Sequence, residues 1–204
     1  MGDSAIPAGL DLDRLRSEIT KAYKEVAADP GQGFHFHTGR KLAGIVEYRD
    51  EWLENVPENV LASFAGTGNP FSMGEMQPGE RVVDLGCGAG IDSFIAAAQV
   101  GGGGAVVGID MTEAMLAKAT EASAQAGVEQ LEFRHGYLES LPVADGWADA
   151  VISNGVINLC PDKMAAFSEI FRVLRPGGRI QIGDIMVSRP VSESAKQKID
   201  LWTG

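Results

Sequence analysis

The chain has 204 residues, 45% hydrophobic and 22% charged, which is enough to bury a sizeable core within one domain. Its 17 Lys and Arg against 28 Asp and Glu leave a formal charge of −11 with no basic cluster, so nucleic acid and anionic membrane surfaces are not expected partners. No run of about 18 apolar residues is present to span a bilayer. The two cysteines, Cys87 and Cys160, make no disulfide scaffold, and a cytoplasmic setting is expected.

In chain order, Leu12, Leu15, Ile19, Tyr23 and Val26 recur at helical spacing, which predicts an amphipathic helix broken by Asp29-Pro30-Gly31-Gln32-Gly33. A second helix is expected over His37–Tyr48 and a short third over Asn59–Phe64, with Gly66-Thr67-Gly68-Asn69-Pro70 as loop. From Arg81 the pattern changes. Strands are predicted at Arg81–Leu85, Ala105–Ile109, Leu131–Arg134, Ala148–Ser153 and Arg179–Ile185. Helices are predicted at Asp92–Gln99, Thr112–Gln125 and Lys163–Val173. Val- and Ile-rich strands alternating with helices predict an α/β, doubly wound and mainly parallel sheet of Rossmann-like type. Residues 1–78 are expected to form an N-terminal helical cap, and residues 79–204 the core.

The strongest motif is Val82-Val83-Asp84-Leu85-Gly86-Cys87-Gly88-Ala89-Gly90, a strand running into a glycine turn that opens a helix. Glycines there allow positive φ and let a ligand approach the backbone without a Cβ in the way. Asp110 closes the next strand, twenty residues after Gly90, where a carboxylate can accept both hydroxyls of a ribose. A dinucleotide fingerprint needs a further glycine where Ile91 stands, and a diphosphate disfavours a neighbouring carboxylate. Asp84 instead suits a cationic amino group, which favours S-adenosylmethionine over a nicotinamide dinucleotide.

With these residues in place, the sequence resembles the class I S-adenosylmethionine-dependent methyltransferases, in the branch of the arsenite methyltransferases and the methyltransferase type 11 enzymes. The segments that carry the resemblance are Val83–Gly90, Val107–Thr112, Phe133–Pro142, Val151–Leu159 with Pro161-Asp162-Lys163, and Arg172–Gly178. The resemblance implies that Asp84, Gly86, Gly88, Gly90, Asp110, Met111, Leu138, Glu139 and Asn154 bind the cofactor. Asp110 would take the ribose, Met111 and Leu138 the two adenine faces, Glu139 the adenine's polar edge, and Asn154 the amino-acid end.

The resemblance also implies arsenic-binding cysteines, and here the chain departs from it. Thr67 and Gly155 stand at two of those positions, and Cys160 matches neither. The expected activity is therefore methyl transfer to some other small-molecule acceptor, with no metal. The alternative is a catalytically silent cofactor-binding protein. Candidates for a catalytic role are His35 and His37, which share a face if extended, and Tyr48. Oligomeric state is not legible. A seven-stranded sheet of this family needs roughly 35 residues beyond the fifth strand, using typical element lengths. Only Met186–Gly204 remain, with a helix expected over Ser192–Trp202, so the C-terminal strands are expected to be missing and the last strand to be an open edge.

Overall fold

The computed structural model describes residues 6, 9–34, 37–192, 195, 197–199 and 202. Helix α1 spans Leu12–Ala28; it starts where the Asp11 side chain accepts the Arg14 N–H and buries Leu15, Ile19 and Val26. The second expected helix is shorter than predicted. Helix α2 covers Gly39–Ile45, because Glu47 turns into the left-handed region at φ 61° and Tyr48 N–H donates to Ala43 O. That turn swings Tyr48 into the core, where it is 6% exposed. Two short helices follow, α3 at Asp50–Leu53 and α4 at Glu58–Ala62.

The sheet has five parallel strands: β1 Arg81–Leu85, β2 Ala105–Asp110, β3 Leu131–His135, β4 Ala148–Asn154 and β5 Leu174–Gly183. Their order is β3-β2-β1-β4-β5. Helices α5 (Ile91–Val100), α6 (Glu113–Ala126) and α7 (Lys163–Val173) cover it. The fold is the doubly wound Rossmann-like one expected. Its order reverses between β1 and β4, and ligands of such sheets bind in the crevice at the carboxyl ends on either side of that point.

The two faces of β1 divide cleanly. Val82 belongs to one core with α5, α6 and the cap residues Tyr48, Val60, Leu61, Phe64 and Phe71. Val83 and Leu85 belong to the other, with Ala166, Ile170 and Val173 of α7. The cap therefore shares a core with one face of the sheet. A third, smaller cluster joins Leu10, Leu15 and Ile19 to Ile199, with Met111, Leu159 and Trp202 against it.

Strand β5 starts earlier and ends earlier than expected. It pairs Leu174 with Ala148, passes an irregularity, and runs Arg179–Gly183 along Ala150–Asn154. It stops at Gly183 because the Asp184 carboxylate accepts the backbone N–H groups of Asn158 and Ile185. It is the outer strand of the sheet, with Ile180 46% exposed. The helix expected over 192–202 includes residues outside the described set. The described ones there make single turns, Ala195 N–H to Ser192 O at 3.0 Å, Lys198 N–H to Ala195 O at 3.0 Å and Trp202 N–H to Ile199 O at 2.8 Å.

Candidate functional site

A pocket opens at the carboxyl ends of β1, β2 and β4, under α1. Its floor is the turn Gly86–Gly90, where Cys87 N–H donates to Ile109 O and Gly90 N–H to Cys87 O. Two glycines there have distinct reasons. A Cβ on Gly86 (φ +64°) would lie 2.3 Å from a Val156 methyl, so the close approach of the segments that follow β1 and β4 requires glycine. A Cβ on Gly88 (φ +53°) would meet nothing within 4 Å; it would project into open space at the pocket.

Asp110, at the end of β2, accepts the N–H of Gly88 at 2.9 Å and of Thr112 at 2.7 Å, which aims its carboxylate at the turn. Burial raises its pKa against those two bonds. Met111, Leu138 and Glu139 stand on the same wall, as does Asn154 at the end of β4. The structure thus brings Gly86, Gly88, Gly90, Asp110, Met111, Leu138, Glu139 and Asn154 around one pocket.

Asp84 lies elsewhere. Strand alternation turns its side chain to the α5 face, where it is 1% exposed and accepts the Ser93 hydroxyl at 2.6 Å. It stands behind the pocket wall. The carboxylate at the wall is Asp92, in the first turn of α5, which sequence reasoning passed over. The signal was available: an acidic residue two positions after the last glycine of the turn. Asp92 accepts the Tyr48 hydroxyl at 2.5 Å and an Asn154 amide proton at 3.1 Å. Burial holds its pKa at about 6 despite both bonds, and burial with the neighbouring Asp92 pushes Asp84 well above the carboxylate range. Among the described residues no Lys or Arg forms an ion pair with Asp84, Asp92 or Asp110.

Asn154 also ties down the cap loop. Its Oδ1 accepts Thr67 N–H and Gly68 N–H, both at 2.9 Å, and its Nδ2 donates to Gly68 O and the Tyr48 hydroxyl, both at 2.9 Å. The same loop meets Gly155, whose Cβ would lie 2.9 Å from Thr67 Oγ1. The two positions where the family places cysteines are therefore neighbours in space, and neither carries a thiol. The thiols that are present, Cys87 and Cys160, both line the pocket but are buried; burial raises both pKa values, that of Cys160 to about 12.

The described catalytic candidates, His37 and Tyr48, are not among the residues lining the pocket. His37 is exposed and away from it, and His35 lies outside the described residues. Tyr48 is engaged by Asp92 and Asn154, and burial with the Asp92 charge raises its pKa well above 10, so it holds its proton and is no base. Among the described residues no cluster of three or more His, Cys, Asp or Glu side chains fits a metal ion.

With this geometry in hand, comparison with known proteins is decisive for the family. The family described as a methyltransferase domain matches residues 76–203. The chain belongs to that methyltransferase-domain family. It is 48% identical over 139 residues to an arsenite methyltransferase of Halobacterium salinarum, covering 68% of this chain and 36% of that one. Against an arsenite methyltransferase of Mus musculus it is 32% identical over 205 residues, covering 96% of this chain and 54% of the relative. The crystal structure of an arsenic(III) S-adenosylmethionine methyltransferase from Chlamydomonas reinhardtii superposes with TM-score 0.65 at 40% identity, over 71% of this chain and 50% of that one. The chain spans between about a third and a half of the length of curated arsenite methyltransferases that it matches. Among the described residues no helix is long and apolar enough to cross a membrane.

Proposed function

We propose that the pocket binds S-adenosylmethionine and that the chain transfers its methyl group to a small-molecule acceptor. The observation that carries this is three carboxyl groups around the glycine turn with no cationic partner among the described residues, whose charged forms a cationic ligand would favour. Asp84, Asp92 and Asp110 are buried or half-buried without an ion-pair partner among the described residues, and burial raises the pKa of each. Buried charge of one sign calls for a ligand of the other sign. A cation carrying an ammonium and a sulfonium fits; a dinucleotide diphosphate would add like charge. The open space beside Gly88 gives such a ligand room at the backbone.

In this reading Asp110 holds the ribose, Met111 and Leu138 flank the adenine, and Glu139 faces its polar edge. Asp92 and Asn154 take the amino-acid end, with Asp84 acting on them from behind. When bound, the cofactor supplies a methyl group on a sulfonium, a leaving group that needs no activation. The protein's task is alignment and exclusion of water. The Tyr48–Asp92–Asn154 bonds lock the 66–68 loop against the pocket, which fixes one wall of the acceptor space. Residues 1–78 serve as the cap over that space.

The acceptor is not gripped by thiolates at the family's positions, since Thr67 and Gly155 meet there. A formal charge of −11 favours a small molecule over nucleic acid, and two free, buried thiols fit a cytoplasmic setting. The test is transfer of radiolabel from methyl-labelled cofactor into a small-molecule metabolite extract by the purified protein. Label in a small molecule supports the enzyme; saturable cofactor binding with no label in any fraction would leave the silent cofactor-binding protein instead. Arsenite in excess should leave the melting temperature unchanged, because Thr67 and Gly155 carry no thiol and burial keeps Cys87 and Cys160 protonated.

A further inference from the structure

Helix α1 presents Arg16, Ile19 and Tyr23 to the pocket, a stripe spaced three and four residues apart on one helical face. Each does something different. Arg16 Nη2 lies 3.3 Å from Glu139 Oε1, and its guanidinium sits 4.5 Å above the Tyr137 ring centroid. Both Tyr137 and Glu139 belong to the segment after β3, so Arg16 is the one side chain of α1 that clasps the opposite wall of the pocket. Ile19 is buried in the small cluster with Leu10, Leu15 and Ile199. Among the described residues nothing hydrogen-bonds the Tyr23 hydroxyl, although it stands in a charged surrounding; burial, with Asp110 and then Asp184 nearby, raises its pKa to about 12. It is a proton donor at the pocket wall without an acceptor among the described residues.

The two ends of α1 are held unequally. At its C-terminal end Val26 is fully buried in the main core, and Lys118 Nζ donates to Ala27 O at 2.9 Å and to Ser63 Oγ at 2.8 Å. A cation on the last carbonyls also suits the helix dipole. The N-terminal half buries Leu15 and Ile19 in the small cluster, apart from the main core, and among the described residues its side-chain tie to the pocket wall is the Arg16 clasp. A small cluster set apart from the main core opens at lower cost than that core.

We propose that α1 is the gate of this pocket, opening about its C-terminal anchor, and that Arg16 and Tyr23 are ligand-retaining residues. Arg16 closes the gate and orients the Glu139 carboxylate at the wall; Tyr23 donates its hydroxyl to an oxygen of the bound adenosyl ligand. The proposal rests on the cofactor assignment above. It deepens that assignment by adding two residues from the cap that no motif of the core contains.

The experiment is amide hydrogen exchange of the whole chain with and without S-adenosylhomocysteine, alongside calorimetry and stopped-flow dissociation of that ligand from Arg16→Ala, Arg16→Lys and Tyr23→Phe. Saturating ligand should slow exchange about tenfold or more in residues 12–22 while leaving residues 24–28, already anchored, nearly unchanged. Tyr23→Phe should weaken binding about fivefold, the worth of one hydrogen bond, with an unchanged melting temperature. Arg16→Ala should release ligand about tenfold faster, and Arg16→Lys should recover part of that loss. Binding of the ligand by wild type with no change in exchange over 12–22, or with wild-type affinity and release in all three variants, overturns the gate and leaves the cofactor assignment standing. Failure of the wild type to bind the ligand overturns both. The exchange measurement on the wild type stands even where a variant fails to fold.

Discussion

Asp92 shows how one residue can tie stability to ligand. Its folded carboxyl is raised from 3.8 to about 6, so between those values the folded protein holds a proton that the unfolded chain has lost. The unfolded state then binds fewer protons, and this group's contribution to stability falls as pH rises from about 4 to about 6. Asp92→Asn removes that slope. We predict that the variant's melting temperature gains on the wild type's as pH rises through this window. Melts in which the difference stays constant would contradict the assignment of the burden to Asp92. A cationic ligand should reverse the trend, binding more tightly above pH 6, where Asp92 is ionised. The glycine turn offers a second test at this scale. Gly88→Ala costs about 1 kcal/mol for a left-handed alanine and puts its Cβ into open pocket space, so it should lose ligand affinity with a small change in melting temperature. Gly86→Ala collides with Val156 at 2.3 Å and should unfold at least about 5 °C lower. Equal melting temperatures for the two variants would refute the distinction.

At the scale of elements, the sheet was legible because its strands are short Val- and Ile-rich runs bounded by glycine and charge, and β1, together with α7, falls where the periodicity put it. The cap was less legible. Nothing in the apolar spacing of 37–48 announces that Glu47 adopts φ 61°, a reversal that only makes sense once Tyr48 has Asp92 to meet. Asp84, expected from the sequence to meet the cofactor, stands one layer back in the structure. A carboxylate beside a glycine turn looks like a ligand group in one dimension, but the two-residue period of a strand sends it under α5, and the wall position passes to Asp92. Tyr48, a catalytic candidate in the sequence, is tied into the architecture: its hydroxyl joins Asp92 to Asn154, and Asn154 holds the 66–68 loop. Asn154→Ala should therefore free that loop. We predict faster proteolysis or hydrogen exchange at residues 64–70 with the sheet's protection retained; unchanged exchange there would show that the loop is held by something else.

For the molecule as a whole, the layers build one site from two unequal parts. The core supplies a rigid cradle at the carboxyl ends of the sheet, built around carboxylates that have no ion-pair partner among the described residues and whose pKa burial raises. The cap shares its apolar core with one face of that sheet but reaches over the pocket through α1, whose far end is lightly held. Family membership follows from the match over residues 76–203, and Thr67 and Gly155 stand at the two positions where the resemblance implies arsenic-binding cysteines. The claim on which all of this depends is that the pocket selects a cationic adenosyl ligand. The direct measurement is isothermal titration of the purified chain at pH 7.5 with S-adenosylmethionine and, separately, with NADH. The account predicts one saturable site for S-adenosylmethionine, weakened at least about tenfold by Gly88→Ala, and no saturable heat with NADH. Saturable NADH binding, or none for S-adenosylmethionine, would contradict it.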